Sequence, residues 1–160
     1  MSSRVLVALR VEASQQDAFD VFVDDIGEWW RANPLFRTGA RRPGRMHLAR
    51  GRGGALTETT PDGEICEIGR VLHWEPPERL TLSWHQPDFP DGLTTEVDVH
   101  FERIGETITR VRVEHRGFHR VPADSAARHG FPDGPLQLRL AEWWRDLLGA
   151  LARRCAERAG

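Results

Sequence analysis

The feature that most constrains this chain is its C-terminal segment, where Leu136, Leu140, Trp143, Trp144, Leu147, Leu148, Leu151 and Cys155 recur at helical spacing behind a Gly134-Pro135 opening. A helix with so broad an apolar stripe cannot stand alone in water. It needs a large apolar surface to lie against, and the residues before it supply one made of strands. From Gly44 to Phe118 the sequence is punctuated by turn chemistry: Gly51 to Gly54, Pro61-Asp62-Gly63, Pro76-Pro77, Pro87 to Gly92 and Ile104-Gly105. That spacing predicts six strands in a meander. Val97, Val99 and Phe101 alternate with Glu96, Asp98 and His100, and Thr109, Val111, Val113 and His115 alternate with Arg110, Arg112, Glu114 and Arg116. One face is apolar, and the other carries both charge signs, as cross-strand pairs on a solvated surface should.

Ahead of the meander, Val5, Val7, Leu9 and Val11 alternate with Leu6, Ala8 and Arg10, a first strand with one buried face. Ser14 then stands as a helix N-cap, and Phe19, Phe22, Val23, Ile26 and Trp29 or Trp30 follow at helical spacing until Pro34, with a break expected near Gly27. Strand, helix, six strands, helix accounts for the whole chain, with no repeat or linker. At 160 residues and 39% hydrophobic content this is one domain, residues 1–160, able to build its core without disulfides. No apolar run reaches the roughly 18 residues of a membrane span, and the N-terminus lacks a secretory pattern, so a soluble cytoplasmic protein is expected.

The composition excludes several chemistries. All 22 basic residues are arginine, and the chain has neither lysine nor tyrosine, so a P-loop lysine, a Schiff-base lysine and a tyrosine general acid are impossible. Cys66 and Cys155 are too few for a zinc site. The net charge of -2 offers no overall field for nucleic acid, and the cluster Arg37, Arg41, Arg42, Arg45, Arg50 and Arg52 reads as a solvated loop and hairpin edge rather than a phosphate site. His115 and His119 lie four apart, but Gly117 and the preceding strand rule out the helical metal-binding arrangement. No Gly-x-Ser-x-Gly elbow occurs, and Ser83 and Cys66 read as strand packing residues. No cofactor, metal or catalytic constellation is expected. Glu58, Glu64, Glu67 and Glu96 remain as thin acid and base candidates.

Three stretches carry a resemblance: Ile26-Gly27-Glu28-Trp29-Trp30, the run Gly69-Arg70-Val71-Leu72-His73-Trp74-Glu75-Pro76-Pro77-Glu78-Arg79-Leu80, and Glu114-His115-Arg116-Gly117-Phe118. With the order of elements, they resemble the activator of heat-shock-ninety ATPase homologue family within the START-like (SRPBCC, birch-pollen-allergen-like) helix-grip superfamily. The resemblance implies an α+β helix-grip fold, in which a curved antiparallel sheet of about seven strands wraps the long C-terminal helix. It also implies a cavity between them that in related proteins receives lipids, polyketides or other apolar molecules. The superfamily holds binders, transfer proteins, cyclases and chaperone cofactors, so fold alone assigns no activity.

The expected ligand site is built from the aromatic and inward-facing residues. Six tryptophans, Trp29, Trp30, Trp74, Trp84, Trp143 and Trp144, fall on elements that should border the cavity. Adjacent tryptophans on a helix are separated by about 100° of rotation, so one of Trp143 and Trp144 is expected to line the cavity while the other packs or is exposed. His115 in the register of Val111 and Val113, and His73 in the register of Val71, are expected to face inward, and a buried polar group there needs a partner. A core histidine and a ligand-orienting histidine are both open for His115. The faces of Ile65 to Trp74 show no clean polarity difference, which a bulge near Gly69 would resolve. The candidate ligand-binding set is therefore Trp29, Trp30, Arg70, His73, Trp84, Val99, Phe101, His115, Phe118, Trp143 and Trp144. The leading expectation is a non-enzymatic binder of a small hydrophobic molecule, with Arg70 and His115 orienting it. A polyketide cyclase or aromatase using His115 as general base, and a chaperone ATPase-activating cofactor, are the rivals; a homodimer stays open.

Overall fold

The computed structural model describes residues 4–33 and 44–159. Strand β1 (Arg4–Val11) leads into helix α1 (Gln15–Asp24), whose N-terminus is capped where the Ser14 side chain accepts a hydrogen bond from the Asp17 amide at 3.1 Å. A single turn, α2 (Ile26–Trp29), follows; the break between the two helices falls at Asp25, just before the expected Gly27. Pro34 and the basic residues Arg37, Arg41 and Arg42 lie outside the described residues.

Six strands come next: β2 (Arg45–Leu48), β3 (Ala55–Thr59), β4 (Ile65–Glu75), β5 (Arg79–Trp84), β6 (Thr95–Arg103) and β7 (Thr109–Arg116). Two 3-10 turns, Phe118–Arg120 and Ala126–Arg128, lead to helix α3 (Asp133–Ala159). The sheet is antiparallel throughout, in the order β1-β7-β6-β5-β4-β3-β2, so the meander runs from one edge and β1 closes onto β7. This is an α+β half-barrel gripping its last helix.

On β6 and β7 the inward face reads as the alternation predicts, whereas on β1 Val5, Val7 and Val11 are buried but Leu9 is exposed. Val97, Val99, Phe101, Val111 and Val113 are all buried, together with Leu136, Leu140, Leu147, Leu148 and Leu151 of α3. On the outer face β6 and β7 are laced by ion pairs: Arg116 bridges Glu96 at 3.0 Å and Glu114 at 3.2 Å, and Arg112 meets Glu102 at 3.2 Å. Asp98 sits among them, mostly covered, accepting from Arg79 Nε at 2.9 Å, Thr81 Oγ1 at 2.7 Å and His100 Nε2 at 3.1 Å. Burial alone would raise its pKa, but those three donors outweigh it and hold the carboxyl below the usual range.

Strand β4 departs from simple alternation. Its register slips against β3 between Gly69 and Glu67, leaving Ile68 as an extra residue, and against β5 between Val71 and His73, leaving Leu72 extra. The two bulges flank Gly69, near the position the sequence suggested. A side chain at Gly69 would place its first carbon 1.7 Å from the Ser83 carbonyl oxygen, so the close approach of β5 requires glycine there. The bulges also decide where Arg70 and His73 point.

Candidate functional site

Between the sheet and α3 lies a continuous aromatic cluster. Trp30, immediately after α2, is its hub. Its ring centroid stands 5.6 Å from Trp29, 5.9 Å from Trp84, 5.7 Å from Trp143 and 6.0 Å from Trp144. Trp84 also meets Trp143 at 5.7 Å and His115 at 5.9 Å, and His115 meets Phe118 at 5.0 Å. Phe89 extends the wall, 5.5 Å from Phe118. These separations are those of mutually favourable edge and tilted aromatic contacts.

Trp143 and Trp144 are both buried and both meet Trp30, so of the two fates expected for the second tryptophan, packed or exposed, it is packed. Their bonds to the helix do diverge, but the half-barrel surrounds more than one side of α3, and indoles are long enough to meet Trp30 from both positions. Each indole nitrogen is used: Trp143 Nε1 donates to the Arg31 carbonyl at 3.4 Å, and Trp144 Nε1 to His115 Nδ1 at 3.1 Å.

His115 faces inward as expected, and all of its ring is committed. An indole N–H can only donate, so Nδ1 of His115 must be the bare acceptor and its proton must sit on Nε2. Nε2 then donates to Thr95 Oγ1 at 2.8 Å, and the Thr95 hydroxyl donates to the Trp84 carbonyl at 3.4 Å. The result is one directed relay, Trp144 to His115 to Thr95 to Trp84. Complete burial pushes the His115 pKa down to about 3, so the ring is neutral at physiological pH. A neutral imidazole whose acceptor nitrogen is occupied is not poised to take a proton from a substrate. The general-base role considered for His115 therefore has no support in this arrangement.

The other sequence candidates divide. Trp29 is fully buried against Phe22, its indole nitrogen shared between the Val21 and Phe22 carbonyls, each at 3.2 Å. Phe101 packs on Phe19 and Phe22 under α1, and Val99 lies in the core beside it on the same strand. Phe118 stands at the His115 end of the cluster. Arg70 and His73 do not join it. Both are exposed, and Arg70 forms a surface ion pair with Glu67 at 2.6 Å. The inward aim expected of them is corrected: without the extra residues at Ile68 and Leu72, His73 would share the face of Val71, but the second bulge turns it out and brings Trp74 partly in.

Period-two extension of the strands would have found two residues that the sequence reading passed over. Thr95 precedes Val97, Val99 and Phe101 on the same face, and Gln86 follows Trp84 by two. Gln86 is fully buried, and its Oε1 accepts from Trp84 Nε1 at 3.1 Å. Arg128 carried no signal. It is buried in the segment before α3, donating to the Val121 carbonyl at 2.7 Å and the Phe118 carbonyl at 3.0 Å and pairing with Asp133.

Of the acid candidates, Glu58 is buried and accepts from the Gly44 amide at 2.9 Å, while Glu64 and Glu67 are exposed and Glu96 is engaged by Arg116. Arg45 pairs with Glu28, and Arg50 with Asp20 and Asp24 while lying over the Trp74 ring at 5.3 Å, so these members of the basic cluster serve surface pairing. Among the described residues no group of three metal-ligating side chains assembles, and no helix is long and apolar enough to cross a membrane. Clefts on the outside include two lined by described residues. One of about 260 Å³ lies between α1 and α3, lined by Asp17, Asp20, Asp24, Cys155 and Arg158; the other, of about 320 Å³, lies beside Arg4, Glu96, Arg116 and Arg120. Neither includes a tryptophan of the cluster.

Residues 12–152 match the family described as Activator of Hsp90 ATPase homolog 1-like protein. The chain belongs to that family. Several solved structures are similar to this chain over nearly the full length. Txn09, an anthrahydroquino-γ-pyrone synthase, is similar over 95% of this chain and 96% of its own, with 25% identity and a TM-score of 0.60. CalC, a self-sacrificing resistance protein from Micromonospora echinospora, is similar over 98% of this chain and 96% of its own, with 25% identity and a TM-score of 0.61. PFC0360w, an HSP90 activator from Plasmodium falciparum, covers 92% of this chain and 91% of its own at 15% identity and a TM-score of 0.63, a likeness of fold alone. No curated protein sequence matches the chain. Within this Activator of Hsp90 ATPase homolog 1-like fold, the cluster under α3 is the best-built candidate site.

Proposed function

We propose that this protein binds a small apolar or aromatic molecule, lipid- or polyketide-like, between its sheet and α3. The observation that carries the reading is the position of Trp30. It contacts four other tryptophans, yet it is only half-buried, the one member of that group that reaches the surface. A rotation of Trp30 would vacate a space bounded by Trp84, Trp143 and Trp144, and a flat apolar molecule would replace the contacts its ring gives up. About 300 Å² of apolar surface withdrawn from water is worth roughly 7.5 kcal/mol before the costs of association.

An enzyme of the polyketide cyclase type is the second reading, favoured by the 25% identity to the synthase Txn09 over nearly the full chain. Such an enzyme would need a base other than His115, whose acceptor nitrogen is held by Trp144.

Tryptophan emission titrated with fatty acids, aromatic polyketides and aromatic acids tests the binding reading. Saturable quenching by at least one class, weakened in Trp84→Ala, supports it. No change up to about 100 μM, a concentration that registers about 5.5 kcal/mol of binding energy, overturns it.

A further inference from the structure

The buried amide of Gln86 lies at the edge of the tryptophan cluster with its N–H donors unused. Its orientation is not in question chemically. Trp84 Nε1 can only donate, so the atom 3.1 Å away must be the amide oxygen, and the Nε2 group must point the other way. Flipping the amide would set two donors against each other. Nε2 is fully buried and meets no acceptor. Leaving an amide donor out of water without a partner is one of the costlier things a folded chain does.

The surroundings say what kind of partner fits. The Trp84 indole that fixes the amide also stands 5.9 Å from Trp30 and 5.7 Å from Trp143, and the Gln86 carbonyl accepts from the Phe89 amide at 2.9 Å, drawing in the Phe89 and Phe118 rings. The surface around the amide is aromatic. Of the histidines that border this surface, His85 stands against the Phe89 ring with Nδ1 donating to the Leu93 carbonyl at 2.8 Å, and His115 is neutral with both ring nitrogens in hydrogen bonds. An anion arriving beside Gln86 would find no countercharge from His115 to offset its desolvation, whereas a neutral oxygen needs only the donor.

We propose that Gln86 Nε2 is the polar recognition group of the site and that it selects ligands bearing a neutral carbonyl oxygen, such as an aromatic ketone, quinone or lactone. The proposal rests on the binding reading and sharpens it: the tryptophans supply affinity, and Gln86 chooses among flat molecules by one hydrogen bond.

The pair 1-tetralone and tetralin tests it, since the two share a skeleton and differ by one carbonyl. Binding of each is followed by the indole N–H signals and the Gln86 side-chain amide signal in nitrogen–proton correlation spectra of the full chain. The expected result is that 1-tetralone binds about tenfold more tightly, equivalent to about 1.4 kcal/mol, and shifts the Gln86 amide. In Gln86→Met the ratio falls to about one while tetralin affinity is kept. Equal affinities in the wild type, or a ratio that survives in a folded Gln86→Met protein, overturn the role of Gln86 and leave the binding reading standing. No perturbation of any indole signal by either probe overturns the role of Gln86, while the binding reading stands or falls on the emission titration with the wider panel. The wild-type comparison decides the matter even if the variant does not fold.

Discussion

Burying a neutral histidine couples folding to pH, and the relay through His115 makes the coupling calculable. The ring titrates at about 3 in the folded chain, against 6.5 when solvated. Between those values the unfolded chain binds the extra proton, so stability falls as pH drops below 6.5 and is unaffected by this group above it. The slope approaches about 1.4 kcal/mol per pH unit, the loss at pH 5 relative to pH 8 is about 2 kcal/mol, and the limit near pH 3 is about 5 kcal/mol. Urea denaturation at pH 8, 6.5 and 5 measures it, with His115→Gln as reference because glutamine keeps a donor and an acceptor but does not titrate. The difference between the two proteins cancels contributions from the other six histidines and from the carboxylates. The expected outcome is that wild type loses about 2 kcal/mol more than His115→Gln between pH 8 and pH 5. Parallel pH profiles would refute the sealed, neutral histidine, and with it the argument against general-base chemistry.

Three other perturbations follow from contacts already described. Trp144→Phe keeps most of the ring but removes the donor to His115 Nδ1; a buried acceptor left unpaired should cost about 1–3 kcal/mol in urea denaturation. Gly69→Ala drives a methyl group into the Ser83 carbonyl, and a loss of at least about 2 kcal/mol is expected, read as a lowered Tm, because backbone rather than a flexible side chain must move. Arg128→Met strips the donors from the Phe118 and Val121 carbonyls; hydrogen exchange of the amides from 117 to 133 should accelerate at least about tenfold, with the β6 and β7 amides unchanged, since hydrogen bonds from a charged group are worth about 1.5–3 kcal/mol.

The parts of the fold that could be read from the sequence are those where one physical rule acts alone. β6 and β7 alternate cleanly because one face meets the core and the other meets water, and the stripe of α3 is wide because a sheet curves around it. β4 resisted for the opposite reason. It runs across the tightest part of the sheet, where Gly69 lies under the Ser83 carbonyl and two extra residues reset the faces, so Arg70 and His73 point outward although a strict period of two puts His73 inside. Both tryptophans of the pair on α3 reach Trp30 because helical angles describe where side chains start, not where indoles end. His115 was correctly placed from its register with Val111 and Val113, but its partners could not be: Thr95 and Trp144 come from elements far apart in sequence, and which nitrogen holds the proton is decided only when they meet. Gln86 stands next to Pro87, where the turn chemistry begins, and drew no notice, yet it is among the most deeply buried of the described residues.

Binding at this site stands on one claim: the space under α3 admits a ligand once Trp30 moves. A crystal structure of the protein saturated with its tightest-binding aromatic ketone addresses that claim directly. The predicted result is ligand density bounded by Trp84, Trp143 and Trp144, with the Trp30 indole displaced and the ligand oxygen within hydrogen-bonding distance of Gln86 Nε2. Density confined to the outer clefts at Asp17 and Asp20 or at Arg116 and Arg120, with Trp30 still packed on its four neighbours, would contradict it.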